Sequence, residues 1–104
     1  MFPFFIVKGQ SMKPFCEEGD FVLCVPSIFS HPKGGDIVVL RHPQRGISIV
    51  KRIVHAKGGG YWVEGDNKLE SSDSRNFGWI PGKLILGRAK VIHRVHLLTS
   101  SIIQ

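Results

Sequence analysis

Ser11 and Lys51 are the side chains of this 104-residue sequence whose types and surroundings best fit covalent chemistry. A serine hydroxyl attacks a carbonyl only when a base removes its proton, and a lysine amine is such a base when its pKa is lowered. If the segment around the lysine is a strand, the lysine shares one face with Ile47, Ile49 and Ile53. Because apolar surroundings disfavour the ammonium form, we expect a lowered pKa and a nucleophile–base pair.

Two other interpretations of the same residues stay open at this point. Lys51 could extend its amine past the apolar neighbours into solvent, which would leave Ser11 inert. A Ser-His-Asp triad would need a histidine in a supporting motif. None of the five histidines lies in one; they are His31, His42, His55, His93 and His96.

Five short blocks occur along the chain in one order, and together they carry a resemblance. They are Gly9-Gln10-Ser11-Met12-Lys13-Pro14, Gly19-Asp20-Phe21-Val22-Leu23, Gly35-Asp36-Ile37-Val38-Val39, Val50-Lys51-Arg52-Ile53 and the polar run from Gly65-Asp66-Asn67 to Ser71-Ser72-Asp73-Ser74-Arg75. In this order the blocks resemble the type I signal peptidase family of serine/lysine peptidases. The resemblance extends from about Val7 to about Ala89, and five ordered blocks are far more specific than one.

The resemblance implies a role for each matching residue. Ser11 would attack the scissile carbonyl, and Lys51 would take its proton and later activate the water that hydrolyses the acyl-enzyme. Ser71 would orient the lysine amine, while Asp73 and Arg75 would form a charge pair that holds the polar loop. The backbone N–H of Ser11 would face the developing oxyanion, where one donor contributes about 3 kcal/mol.

Substrate binding is also implied by the resemblance. Val7, Met12 and Val50 match positions that line the pocket for the residue before the cut, and such pockets favour small side chains. Gly9 is also predicted to bind substrate, but it stands where some family members carry a hydroxyl group that completes the oxyanion hole. The strands on either side of the dyad would bind a leader peptide or precursor in extended form through main-chain hydrogen bonds. The implied reaction is endoproteolytic removal of a leader or signal peptide at a small-x-small site.

The chain consists of short apolar runs separated by glycine and proline, which predicts strands joined by turns. We expect one all-β domain over residues 1–104, a small partly closed barrel with the site at its rim; the family fold is the same. A short helical turn is predicted at 13–18 and a tight hairpin at 58–60. The predicted strands are 4–8, 20–25, 36–41, 47–56, 61–64 and 84–95.

A net charge of +6 raises the question of nucleic-acid binding. Such binding usually needs basic residues gathered on one face, whereas here they are scattered, so we expect no nucleic-acid partner. The densest basic cluster is better explained as a solvated edge strand or a contact with anionic lipid; it comprises Arg88, Lys90, His93, Arg94 and His96. Cys16 and Cys24 have no metal-site spacing with these histidines, so we expect no metal and no other cofactor.

The first seven residues are apolar but too few to span a bilayer, which needs about 20. We therefore expect a naturally soluble member, cytoplasmic or peripheral at the membrane, with a truncated membrane-anchored enzyme as the alternative. The compact size resembles the maturation proteases of nickel-type superoxide dismutase. A self-cleaving switch of the SOS-repressor type would need more than ten residues before Ser11. A catalytically silent peptide-binding or membrane-surface module of the same fold is the remaining alternative.

Overall fold

A computed structural model describes residues 2–28 and 30–93 of the chain. Seven strands form in these ranges, each rich in the valine, isoleucine and aromatic side chains that favour extended backbone. Two short 3-10 helices, Lys68–Glu70 and Gly82–Leu84, and one four-residue α-helix, α1 (Ser74–Phe77), lie between them. The strands are β1 (Phe4–Ile6), β2 (Phe21–Val25), β3 (Ile37–Arg41), β4 (Ser48–Lys57), β5 (Gly60–Glu64), β6 (Ile80–Pro81) and β7 (Ile85–Ile92).

The strands form one antiparallel sheet in the order β1-β2-β7-β3-β4-β5-β6. The sheet curls into a half-barrel, so the predicted all-β, partly closed barrel is confirmed. Strand β7 lies between β2 and β3, which joins the first two strands to the rest. This pairing brings the segment before residue 26 into the same sheet as β4. Because β7 carries Arg88 and Lys90 and is paired on both sides, the expectation that the basic cluster lies on an edge strand is wrong.

Apolar side chains are buried on both faces of the central strands. One cluster consists of Val38, Leu40, Ile53, Tyr61, Val63 and Ile80. The second consists of Val22, Cys24 and Val39, with Phe5, Val7 and Val50 packed against it. Since neighbouring residues of β3 belong to different clusters, this strand is buried on both sides. The two clusters hold β4 in a fixed position beside the first three strands.

Several local predictions differ from the structure. The strand predicted from residue 47 begins at Ser48, so Ile47, which is 41% exposed, lies before it, whereas Ile49 and Ile53 belong to the first cluster. Where a helical turn was predicted at 13–18, the structure has one helix-type backbone hydrogen bond, from the Cys16 N–H to the Met12 carbonyl, at 3.1 Å.

The predicted hairpin is present: Gly58 and Gly59, both with positive φ, connect β4 to β5.

Helix α1 and strand β6 were not predicted, because four and two residues are too few for a helical or strand period to repeat. The last predicted strand is observed as far as Ile92, and its remaining residues, with Arg94 and His96 of the basic cluster, lie outside the described residues. Within the described ranges, no helix has the length and apolar character needed to cross a lipid bilayer.

Candidate active site

The structure brings Ser11 and Lys51 together across 40 residues of sequence. Ser11 lies in the turn that follows β1, and Lys51 lies in β4, opposite Val38 of β3. The Lys51 Nζ donates a hydrogen bond to the Ser11 Oγ at 2.9 Å. This distance is within the range for proton transfer between a base and a nucleophile.

Lys51 is buried, with only 4% of its surface exposed. Burial lowers the pKa of the Lys51 amine, and the Arg75 guanidinium lowers it further, while Asp73 acts in the opposite direction. Desolvation is the largest of these effects because the ammonium form loses its hydration among Ile53 and the other apolar side chains. The lysine therefore holds a neutral amine at a lower pH than an exposed lysine does.

Asn67 fixes the turn that carries the serine. Its backbone N–H donates to the Ser11 carbonyl at 2.8 Å, and its side-chain amide donates to the Gln10 carbonyl at 3.0 Å. Two consecutive carbonyls of the turn are thus bound by one residue of the polar loop. Sequence analysis assigned no role to Asn67, although its place in the Gly65-Asp66-Asn67 run was a signal that could have found it.

Gly65 begins the polar loop, residues 65–75, and lies where this loop meets the turn that carries Ser11, the predicted nucleophile; we call that turn the nucleophile turn. A Cβ atom at this position would stand 2.6 Å from the Ser11 carbonyl oxygen and 2.7 Å from the Ser71 Cβ. Only glycine allows the two segments to approach so closely. The same contact shows that Ser71 lies beside the nucleophile turn.

Asp73 organises the polar loop and is completely buried. Its carboxylate accepts hydrogen bonds from the Ser71 hydroxyl at 2.7 Å, from the Gly65 N–H at 2.8 Å, and from the Arg75 guanidinium at 3.0 Å. It also caps α1 by accepting from the Arg75 N–H at 3.1 Å. Burial alone would raise the pKa of Asp73, but these hydrogen bonds outweigh it and hold the pKa well below its usual range.

A second ion pair connects strand β4 to the same loop. Arg52, the neighbour of Lys51, donates to both carboxylate oxygens of Asp66, at 2.9 and 2.8 Å. It also donates to the Gly35 carbonyl at 3.0 Å and stacks over the Phe15 ring. Such bidentate pairs fix geometry as well as charge. Arg52 thus connects β4, the polar loop and the segment after the serine.

An apolar cleft of about 340 Å³ opens beside the dyad. Val7, Met12 and Val50, three of the predicted substrate-binding residues, line it together with Ser11 and Lys51. Its walls are the segments 5–8 and 47–51, and its floor includes buried valines of the second cluster. A concave, mainly apolar cleft of this kind is typical of a ligand-binding site.

Gly9, the fourth predicted substrate-binding residue, does not line the cleft. It lies in the turn with φ near +81°, and its N–H donates to the Glu18 carboxylate at 3.0 Å. Ser71 donates to Asp73 and, among the described residues, forms no hydrogen bond with the Lys51 amine. The roles assigned to Gly9 and Ser71 therefore stay predictions.

Cys16 lies behind the nucleophile turn and is buried. Burial raises the pKa of its thiol to about 11, and the carboxylates of Asp20 and Asp66 act in the same direction. A protonated, buried thiol is a poor nucleophile. Cys16 and Cys24 are both free, and Cys24 packs in the second cluster.

Sequence similarity relates this chain to known proteins. Residues 2–80, which include the serine, the lysine and the polar loop, match the Peptidase S24-like family. The chain belongs to the Peptidase S24-like family. The signal-peptidase-like character expected from the ordered sequence blocks is consistent with this membership.

Individual relatives of this Peptidase S24-like chain are subunits of mitochondrial proteases. Mitochondrial inner membrane protease subunit 1 of Xenopus tropicalis is 32% identical, over 80% of this chain and 64% of the relative. The Homo sapiens protein of the same name is 34% identical, over 78% and 63%. Mitochondrial ATP-independent inner membrane protease subunit 1a of Arabidopsis thaliana is 33% identical, over 80% and 65%. The chain thus spans less than two thirds of the length of these curated relatives.

Proposed function

We propose that this protein is a serine endopeptidase that uses Ser11 as nucleophile and Lys51 as general base. The observation that carries the proposal is the 2.9 Å contact between the Lys51 Nζ and the Ser11 Oγ, made by a lysine that is almost completely buried. A surface lysine would stay protonated near neutral pH, whereas burial favours the neutral amine that general-base catalysis requires.

In the acylation step, the neutral Lys51 amine accepts the hydroxyl proton while the Ser11 oxygen bonds to the scissile carbonyl carbon. The peptide C–N bond then breaks, and the ammonium returns the proton to the leaving amine. In the second step the amine takes a proton from water while the water oxygen bonds to the acyl carbon. The bond between that carbon and the Ser11 Oγ then breaks, the ammonium returns the proton to the Ser11 Oγ, and the carboxyl product leaves. Ser11 and the neutral Lys51 amine are thereby regenerated at the end of the cycle.

The oxyanion of each tetrahedral intermediate needs hydrogen-bond donors. Within the described ranges, no hydrogen bond uses the backbone N–H of Ser11, so this group is available to a substrate carbonyl. Because Asn67 binds the carbonyls of Gln10 and Ser11, the orientation of the turn is set before substrate arrives. Preorganised donors of this kind lower the barrier without reorganisation during the reaction.

The substrate of this peptidase is proposed to be the leader segment of a precursor protein, bound in extended form and cut at a small-x-small site. The apolar lining of the cleft beside the dyad supports the proposal that the residues on either side of x are small. The relatives support a protease that acts near a membrane, since their names place them at the mitochondrial inner membrane. Relation to the nickel-type superoxide dismutase maturation proteases, and a cytoplasmic or peripheral membrane location, stay predictions.

Cleavage of a synthetic Ala-x-Ala peptide tests the proposal. The parent protein, Ser11→Ala and Lys51→Ala are compared between about pH 6 and about pH 10, and a lowered lysine pKa predicts a rate that rises with pH below the ordinary value near 10.5. Cleavage that is abolished in both variants supports the dyad. If Lys51→Ala cleaves as fast as the parent, Lys51 is not the base. Peptide binding without cleavage by the parent would indicate a catalytically silent module.

A further inference from the structure

Lys8 is the one exposed charged side chain among the described residues that line the cleft beside the dyad. The other titratable group of the cleft lining is the buried Lys51, and no carboxylate lines the cleft. The cleft therefore combines an apolar floor with a positive charge at its wall. That charge is unnecessary for binding small apolar side chains.

Lys8 has no ion-pair partner among the described residues. By contrast, the next lysine along the chain, Lys13, pairs with Glu17 at 3.5 Å. The two carboxylates nearest in sequence to Lys8 already have partners: Glu17 pairs with Lys13, and Glu18 accepts a hydrogen bond from the Gly9 N–H at 3.0 Å. The Lys8 ammonium is thus available to a ligand that enters the cleft.

We propose that Lys8 selects leader peptides that carry an acidic residue between the two small residues of the cleavage site. This inference rests on the proposed peptidase function and adds a charge preference to it. Successive side chains of an extended peptide point in opposite directions. The two small side chains would face the apolar lining of the cleft, which includes Val7, Met12 and Val50. The side chain between them would then point away from that lining, and Lys8 is the exposed charged residue of the cleft that is available to it.

The expected effect is moderate because Lys8 is exposed to solvent. Exposed ion pairs change an equilibrium by a factor of about two to five, and salt screens them. If the ion pair between Lys8 and the peptide forms in the bound complex, it changes kcat/KM by a factor of this size. Unlike packing against the apolar floor, the preference should disappear at high ionic strength.

Three Ala-x-Ala peptides, with x as Glu, Gln or Lys, test this preference in the parent, Lys8→Gln and Lys8→Glu. In the parent, kcat/KM should fall from Glu to Gln to Lys, by about two- to fivefold per step at about 50 mM NaCl. Lys8→Gln should remove the order and Lys8→Glu should reverse it. Lys57→Gln, which makes the same charge change at the far end of β4, should keep the parent order.

Binding of the same peptides to Ser11→Ala and to Ser11→Ala/Lys8→Gln separates this inference from the proposed function. A preference for the Glu peptide that requires Lys8 supports the inference even if no peptide is cleaved. Cleavage by the parent without any order among the peptides, or with an order that Lys8→Gln retains, overturns the role of Lys8 and leaves the peptidase function intact. Equal binding of all three peptides overturns the role of Lys8 as well.

Discussion

Lys51 and Asp73 are both buried, but the protein surrounds their charges in opposite ways. Asp73 accepts hydrogen bonds from Ser71, Gly65 and Arg75, and Arg75 also supplies the countercharge. Within the described ranges the Lys51 amine makes one hydrogen bond, to the hydroxyl of Ser11, and the cleft beside it has a mainly apolar lining. Both pKa values are lowered, which means that the charged form is favoured for the aspartate and disfavoured for the lysine.

This difference separates a structural charge from a reactive one. A buried carboxylate with several donors stabilises the loop that holds it, because its hydrogen bonds replace those lost from water. A buried lysine with a single uncharged partner destabilises the folded state while it is protonated. The same cost leaves the amine neutral, and therefore able to accept a proton, at a lower pH than an exposed lysine. We therefore expect substitutions at the two positions to separate activity from stability.

The largest expected effect is on the activity of Lys51→Met. The variant keeps the length and apolar stem of the side chain but has no base, so cleavage of the Ala-x-Ala peptide should fall by at least about 1,000-fold. Its free energy of unfolding at pH 7, measured in urea, should equal or exceed that of the parent, because a buried charge has been removed. A large loss of stability would show that the Lys51 amine is structural.

Asp73→Ala should have the largest effect on stability. It removes the acceptor of the Gly65 and Ser71 hydrogen bonds and leaves Arg75 without its partner, at an expected loss of about 3 kcal/mol in free energy of unfolding. Asp36→Ala is the matched control, since Asp36 also pairs with an arginine but is partly exposed, and it should lose less. Equal losses in urea denaturation would contradict a special role for the buried carboxylate.

Gly65→Ala tests the close approach of the polar loop to the nucleophile turn. The added methyl group would meet the Ser11 carbonyl and the Ser71 side chain, and we expect a loss of about 1–3 kcal/mol in stability together with reduced kcat. Gly46→Ala is the control, because nothing lies within 4 Å of its Cβ position and its φ is not positive. A Gly65→Ala variant that matches Gly46→Ala in both thermal unfolding and cleavage would exclude this contact from the site.

The smallest expected effect is the pH dependence of the stability difference between Lys51→Met and the parent. Because the folded-state pKa of Lys51 is lowered, the unfolded chain binds more protons between that pKa and the ordinary value near 10.5. The loss of stability that the buried charge causes in the parent is largest below the folded-state pKa and becomes smaller as pH rises through this window. Urea denaturation from about pH 6 to about pH 10 should show the two proteins converging; a constant difference would mean that the lysine pKa is not lowered.

The fold class and the candidate dyad were predicted from the sequence, whereas several supporting contacts were not. Alternating apolar residues and glycine punctuation were enough for six of the strands, because the strand period is local. Strand β6 and helix α1 have too few residues to show a period. The Gly65-Asp66-Asn67 run could have marked Asn67 as a candidate, but its partner Gln10 lies 57 residues away, and a local pattern does not tell which distant turn the amide contacts.

By itself, the sequence determined which residue types are available for chemistry: a serine in a glycine-containing turn, a lysine in an apolar run, and a polar loop rich in carboxylates and amides. The tertiary structure alone decided that the serine and lysine stand 2.9 Å apart, that the lysine is buried, and that Lys8, which has no ion-pair partner among the residues the structure describes, lines the cleft. The physical reason is that a lowered pKa and a hydrogen-bond distance depend on which strands lie side by side. That arrangement follows from burying the apolar clusters of the entire sheet together.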